Sequence, residues 1–144
     1  TAIDETDQRI LTMLEADGRA TLAQLAQATG LSVSAAQSRG EKLEKRGIIK
    51  GYKAIIDQEQ RGLPISAFVN VTPLDYSAES SIPDKLNNID GIVSCYSVGR
   101  RPPASYLVDA LASPTALEEL LNLIHRTVPV STETTMILQT YFAH

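Results

Sequence analysis

The chain has 144 residues, 43% of them hydrophobic and 21% charged, and a formal net charge of −4 at pH 7. This length predicts one globular domain or two small ones, able to bury a core without covalent staples. Apolar runs stay short of the ~18 residues that a membrane-spanning helix needs. The single cysteine, Cys95, excludes an internal disulfide framework and, with only two histidines, argues against a zinc site. We therefore expect no metal, no membrane partner and a cytoplasmic setting.

Charge is distributed unevenly along the chain. Residues 31–53 carry six basic and two acidic residues, a net charge of +4 that leaves −8 for the remainder. A compact basic block is typical of a surface that contacts phosphate, but a solvated helix face has the same composition. Charge alone leaves both interpretations open.

Two helices are predicted first. Residues 4–17 form one, with acidic residues at its start, where they complement the helix dipole, and a glycine after its end. Thr21 and Gln24 form a candidate capping box for the second helix. Gly30 follows that helix where a left-handed residue belongs.

A third helix follows after a short turn that contains glycine. Ser32 or Ser34 caps it, and it runs to Arg46 with Gly47 closing it. Three helices in this arrangement predict a helix-turn-helix domain over residues 1–48.

Beyond Gly47 the pattern changes to that of strands. Residues 48–57 predict a strand leaving the third helix, and residues 58–63 a linker, so residues 49–63 join two domains. Residues 64–144 predict a strand over 65–72, a helix over 78–89 with Pro83 in its first turn, strands over 92–98 and 105–112, a helix starting at Pro114, and a strand over 130–142. This β-α-β-β-α-β order is that of a ferredoxin-like domain.

The third helix carries the candidate DNA contacts, because the N-terminal part of such a helix enters the major groove. Gln37 can pair with adenine, Ser38 with several bases, and Arg39 with guanine or phosphate. Later basic residues suit backbone phosphates. For Arg39, an internal salt bridge with Glu44 or an N-terminal acid is the alternative. The predicted DNA-binding residues are Ser32, Ser34, Ala35, Gln37, Ser38, Arg39, Lys42, Lys45, Arg46 and Lys50.

The spacing of particular residues resembles that of the Lrp/AsnC, or feast/famine, transcription regulators. The matching segments are Ile3-Asp4, Asp7, Ile10-Leu11, Asp17-Gly18-Arg19, Leu25-Ala26, Gly30-Leu31-Ser32, Arg39, Leu43-Glu44, Gly47-Ile48-Ile49 and Gly51-Tyr52. The resemblance continues into the C-terminal half and covers nearly the whole chain. It implies DNA-binding dimers that assemble further, often to octamers, with a site for an amino acid in the C-terminal domain.

The third helix departs from the family pattern at three positions. Ala36 and Gly40 stand where the family usually has apolar residues facing the core, and Glu41 stands where it usually has Arg or Lys. Glycine inside a helix costs roughly 1 kcal/mol relative to alanine. We therefore expect a looser helix and weaker DNA binding, with gains for Gly40→Val and Glu41→Arg.

The candidate effector site also departs from the pattern, because residues 98–106 lack the Gly-Asp-Tyr-Asp-like acids of the family. Bound amino acids need an acceptor for the ammonium and donors for the carboxylate. Arg100, Arg101 and amides near Gly99 could donate, while Ser105, backbone carbonyls or residues 132–135 could accept. The resemblance implies a pocket between subunits formed by Val98, Gly99, Arg100, Arg101, Ala104, Ser105, Tyr106, Thr134, Thr135 and Met136. A plain surface loop is the alternative.

We predict an α+β transcription regulator with a winged or wing-like helix-turn-helix domain and a ferredoxin-like domain over 64–144. Its expected partners are double-stranded DNA, further copies of itself and a small amino acid, with no cofactor. An architectural, nucleoid-type DNA-binding protein without an effector is the alternative. Some ferredoxin-like domains are small phosphatases, which need a phosphate-binding loop with a positioned Arg and Asn. Here Asn70 lies mid-strand and no glycine-rich loop precedes a helix, so catalysis is not expected.

Overall fold

The computed structural model describes residues 2–75, 81–99 and 105–144. The chain divides into two units, Thr1–Ile55 and Ile56–His144. None of the helices within the described ranges is both long and apolar enough to cross a membrane.

The first unit is a bundle of helices around a small apolar core. Its helices are α1 (Glu5–Ala16), α2 (Leu22–Thr29) and α3 (Val33–Lys45). Each helix turns one or two apolar side chains into this core, on the face that the 3.6-residue period places inward. The buried core residues are Ile10, Leu25, Ala26, Ala36 and Leu43.

The predicted helix ends are confirmed with one choice resolved. Thr21 and Gln24 form the capping box at the start of α2, and Gly30 ends α2 with a φ of 74°. Ser32, not Ser34, caps α3, because its hydroxyl accepts the amide hydrogen of Ala35 at 3.1 Å. These bonds satisfy amides that have no partner within the helix.

The strand predicted over residues 48–57 is wrong. Residues 46–64, all of which the structure describes, contain no strand. The side chain of Ile55 is 97% exposed and that of Ile56 is 45% exposed. A strand needs a neighbouring strand for its backbone hydrogen bonds, and the four-stranded sheet of this chain does not include this segment. Within residues 2–55, the first unit therefore consists of three helices followed by a segment that pairs with no strand of the same chain.

The second unit has the predicted β-α-β-β-α-β order. Its elements are β1 (Ile65–Pro73), α4 (Ile82–Asn87), β2 (Ile92–Val98), β3 (Ser105–Ala112), α5 (Leu117–Thr127) and β4 (Val130–Met136). The strands form one antiparallel sheet in the order β2-β3-β1-β4. Pro83 lies in the first turn of α4, as predicted. The predicted start of that helix, residues 78–80, lies outside the described residues.

One face of the sheet is covered by α4 and α5, while the other is not. Alternate residues of β1 and β3 point to the covered face, where they pack with Ile82, Leu86 and Ile124. We call the other side the open sheet face, and register places on it Phe68, Asn70, Ser94, Tyr96, Leu107, Asp109, Glu133 and Thr135. Phe68 is 39% exposed there and Tyr96 is 55% exposed.

The last strand is shorter than the predicted 130–142. Met136 pairs with Ala67, and the amide of Ile137 donates to the carbonyl of Ser66 at 2.9 Å. Since β1 begins at Ile65, only one residue of that strand lies beyond this point. Leu138 is accordingly 95% exposed.

Candidate nucleic-acid interface and effector site

The outer side of α3 presents a row of polar side chains. Ser34, Ser38, Glu41 and Lys45 are exposed and follow one another at intervals of one helical turn. We call this row the exposed stripe. The opposite side of the helix buries Ala36 and Leu43, so the stripe faces away from the core.

The structure places most of the predicted DNA-binding residues on the surface. Lys50 follows α3, while the others lie on α3, at its cap or just after its end. Ala35 and Arg39 are half-buried. The exposed ones are Ser32, Ser34, Gln37, Ser38, Lys42, Lys45, Arg46 and Lys50.

Arg39 forms an ion pair with the start of α1. Its Nη1 donates to Oδ2 of Asp4 and, at 3.2 Å, to Oδ1 of Asp7, which is 8% exposed. Of the interpretations of Arg39, the structure therefore shows the internal salt bridge with N-terminal acids. Its partners are Asp4 and Asp7 rather than Glu44. Arg39 thus fastens α3 to α1.

The same ion pair perturbs both charged groups. The pKa of Asp4 is lowered, first by the hydrogen bond from the amide of Asp7 at 2.8 Å and then by the bond from Arg39. The pKa of Arg39 is raised by its bonds to Asp4 and Asp7. Asp4 therefore both caps α1 and holds α3.

Two further side-chain bonds order α3, and neither was predicted. Nε2 of Gln37 donates to Oε1 of Glu41 at 3.2 Å. The hydroxyl of Tyr52 donates to Oε1 of Glu44 at 3.0 Å, and the pKa of Tyr52 is raised by burial and by this bond. The i, i+4 spacing of Gln37 and Glu41 is the signal that would have found the first pair.

Gly40 leaves space beside α3. A Cβ built at this position has no atom of another residue within 4 Å. A shallow groove of about 350 Å³ lies alongside, between α3 and the start of α2. A methyl group here would meet neither a clash nor a packing partner, so the predicted looseness of α3 stays a prediction.

Register separates the two halves of the predicted effector site within one chain. Val98 pairs with Ser105 at the end of β2 and β3, whereas Thr134 and Met136 lie along β4. Tyr106 pairs with Val71, which pairs in turn with Thr132.

Met136 therefore lies four residues, about 13 Å, along β4 from the level of Tyr106, with β1 between the strands. Tyr106 itself is 6% exposed and belongs to the core under the helices. Arg100, Arg101 and Ala104 lie outside the described residues. A single copy does not bring the described members of the predicted site together.

The surroundings of His125 and Cys95 indicate structural rather than chemical roles. His125 approaches the carbonyl of Val130 at 3.2 Å through Nδ1 and the hydroxyl of Thr132 at 2.9 Å through Nε2. The pKa of the Cys95 thiol is raised by burial, which disfavours the reactive thiolate. Within residues 2–75, 81–99 and 105–144, no three His, Cys, Asp or Glu side chains are grouped to hold a metal ion.

Comparison with known proteins finds relatives that cover nearly the whole chain. A family model described as winged helix-turn-helix DNA-binding matches residues 3–50. The HTH-type transcriptional regulator LrpA of Mycobacterium tuberculosis is 46% identical over 142 residues, covering 99% of this chain and 94% of that protein.

Solved structures show the same fold. The feast or famine regulatory protein from M. tuberculosis, complexed with L-methionine, is 46% identical with a TM-score of 0.92, covering 99% of this chain and 96% of that chain. AsnC of E. coli is 25% identical with a TM-score of 0.87, covering 100% and 97% of the two chains. Near-complete coverage by a regulator of this identity, together with the helix-turn-helix and the four-stranded sheet, establishes that the chain belongs to the Lrp/AsnC family of DNA-binding transcriptional regulators.

Proposed function

We propose that this regulator binds a specific, roughly palindromic operator as a dimer and controls amino-acid metabolism in response to a free amino acid. The observation that carries the proposal is the exposed stripe of α3, which combines hydroxyl groups with Lys45 and is flanked by Lys42. Hydroxyl groups suit base edges, and lysines suit phosphates.

Dimerisation follows from the geometry of a duplex. Each copy has one recognition helix, so two copies are needed to read half-sites about 34–36 Å apart or at multiples of that distance. We propose that the open sheet face forms a two-fold contact in which the same patch is used by both copies. Exposed Phe68 and Tyr96 support this role, because burying them removes apolar surface from water.

A polar atom on the same face also favours a partner there. Ser94 donates to Oδ2 of Asp109, while Oδ1 of Asp109 is buried without a hydrogen-bond partner among the described residues. Such an atom is costly unless a donor reaches it. A hydroxyl such as that of Tyr96 or Thr135 from a second copy would supply one.

We propose that the effector binds between copies, in an assembly of dimers such as an octamer. One chain keeps Val98 and Ser105 apart from Thr134 and Met136, so a second copy is needed to close a pocket from these segments. The L-methionine complex of a 46% identical regulator supports a free amino acid as the ligand class.

Such a ligand acts by preferring one assembly over another, and the coupling is reciprocal. If an amino acid weakens operator binding, the operator must weaken amino-acid binding by the same factor.

The test is a thermal-shift screen of the twenty amino acids, followed by DNA titration with and without each ligand that binds. A ligand that binds only the native protein raises its melting temperature, and we expect at least one amino acid to do so and to change affinity for a palindromic duplex. A flat screen, with equal affinity for palindromic and random duplexes, would contradict the proposal and favour the architectural role.

A further inference from the structure

A carboxylate lies in the middle of the exposed stripe. Glu41 is exposed, with Ser38 one turn before it and Lys45 one turn after it. A carboxylate at this position can affect DNA binding in one of two ways. It either repels phosphate without compensation, or it accepts a hydrogen bond from a base.

The bond between Gln37 and Glu41 gives this surface a defined chemistry. The amide nitrogen of Gln37 lies 3.2 Å from Oε1 of Glu41. Because nitrogen and oxygen lie on opposite sides of an amide carbon, the amide oxygen of Gln37 faces away from Glu41. The pair therefore offers two hydrogen-bond acceptors, the amide oxygen of Gln37 and the remaining oxygen of Glu41, beside one donor, the second N–H of Gln37.

The other carboxylate of α3 is arranged differently. Glu44 accepts the hydroxyl of Tyr52 at 3.0 Å and is not part of the exposed stripe, although Gln37, Glu41 and Glu44 all line the groove next to Gly40. The two residues thus carry the same charge on the same helix, but only Glu41 belongs to the exposed stripe.

In the major groove, the exocyclic amino groups of cytosine and adenine are the donors that acceptors can read, and Glu accepts from N4 of cytosine. We propose that Glu41 reads a cytosine in each half-site and that its bond to Gln37 fixes the orientation of the neighbouring amide. The inference rests on the proposed function. Glu41 gives up general affinity for phosphate and gains discrimination against sequences without that cytosine.

The experiment is selection of binding sites from a randomised duplex pool by the full chain and by Glu41→Ala, Glu41→Gln and Glu44→Ala. The parent is expected to select cytosine at one position in each half-site. Glu41→Ala loses this preference, so discrimination between the selected site and its thymine variant falls by about tenfold or more. Glu41→Gln shifts the preference from cytosine to adenine, because Gln pairs with adenine. Glu44→Ala is the matched control, and it keeps the parent's base preference.

Melting temperatures of all four proteins confirm that each is folded. The inference is overturned if Glu41→Ala and Glu44→Ala select the parent's site and bind every sequence more tightly by one common factor, since Glu41 is then only an electrostatic penalty. In that outcome the proposed function still holds, because the parent retains its specific site. A parent that binds no duplex at low salt would overturn the proposed function and this inference together.

Discussion

Asp4 and Arg39 lie 35 positions apart in the sequence but act on one another. Asp4 caps α1 through the amide of Asp7, and it holds the guanidinium of Arg39 on α3. The cap is predictable from the sequence because it joins neighbours. The sequence leaves the partner of Arg39 undecided, because a residue of the basic block also suits a DNA contact. Only the packing of α3 on α1 brings Arg39 to Asp4.

The hydrogen bond from the amide of Asp7 and the ion pair with Arg39 together predict a pH dependence for Asp4. The folded-state pKa of Asp4 is lowered, so its contribution to stability is complete above the unfolded value of about 3.9 and is lost as pH falls through the lower folded value. Asp4→Asn keeps a good cap residue but loses the charge. We expect a lower melting temperature than the parent at pH 7, with the difference shrinking below about pH 4.

Thermal unfolding followed by circular dichroism from pH 7 to pH 2.5 measures that difference. A deficit of the same size at every pH would show that the charge of Asp4 has no part in stability.

Gly40 and Gly30 provide a matched pair of substitutions. An alanine at Gly40 meets no atom within 4 Å and improves helix propensity, so Gly40→Ala should stabilise the protein by about 1 kcal/mol. Gly30 has a φ of 74°, which disfavours any side chain, so Gly30→Ala should destabilise it. Chemical denaturation of both variants checks the signs. A loss of stability in Gly40→Ala would mean that the space beside α3 is needed.

At the scale of helices and strands, the sequence predicts the bounds of an element well where residues within or beside that element determine where it begins and ends. The Thr21–Gln24 capping box and the bounds of β2 and β3 agree with the structure. The errors at residues 48–57 and 137–142 have one cause, because both segments have strand-like sequences without a partner strand among the described residues. Strand propensity reflects the side chains of a segment, whereas the hydrogen bonds of a sheet require a neighbouring strand.

The burial of Leu43 predicts how much the buried apolar row of α3 contributes to the stability of the protein. It is 1% exposed in the core of the first unit, so Leu43→Ala should cost about 2–5 kcal/mol. Val33→Ala, at a position that is 50% exposed, is the control and should change stability by less than about 0.5 kcal/mol. Urea denaturation followed by circular dichroism measures both. Equal effects would place the anchor of α3 elsewhere.

At the scale of the whole molecule, the sequence predicts which residues are polar or basic but not which copies bring them together. Val98 and Met136 belong to one predicted site, yet strand register separates them within a chain. The sequence also does not predict that Oδ1 of Asp109 is buried without a hydrogen-bond partner among the described residues, because a polar residue at such a strand position is ordinary.

The open sheet face predicts the effect of a charge on assembly. Phe68 is 39% exposed on that face, and Phe68→Glu would place a carboxylate near Asp109 and Glu133 in a two-fold contact. We expect the variant to shift from dimer or higher assembly to monomer. Light scattering after size-exclusion chromatography measures the mass, with Val33→Glu as a control that keeps the parent's mass. An unchanged mass in Phe68→Glu would exclude this face as the contact.

The central claim is that the exposed stripe of α3 lies along duplex DNA. Titration of the full chain, Lys45→Ala and Lys85→Ala against a selected palindromic duplex between about 50 and 200 mM salt tests it directly. Lys85 lies on α4 and is exposed, so its variant removes the same charge elsewhere. We predict that affinity falls with salt and that Lys45→Ala lowers the slope by about 0.9 for each phosphate that the variant no longer neutralises, while Lys85→Ala leaves it unchanged. No binding at the lowest salt, or one slope for all three proteins, would contradict the account.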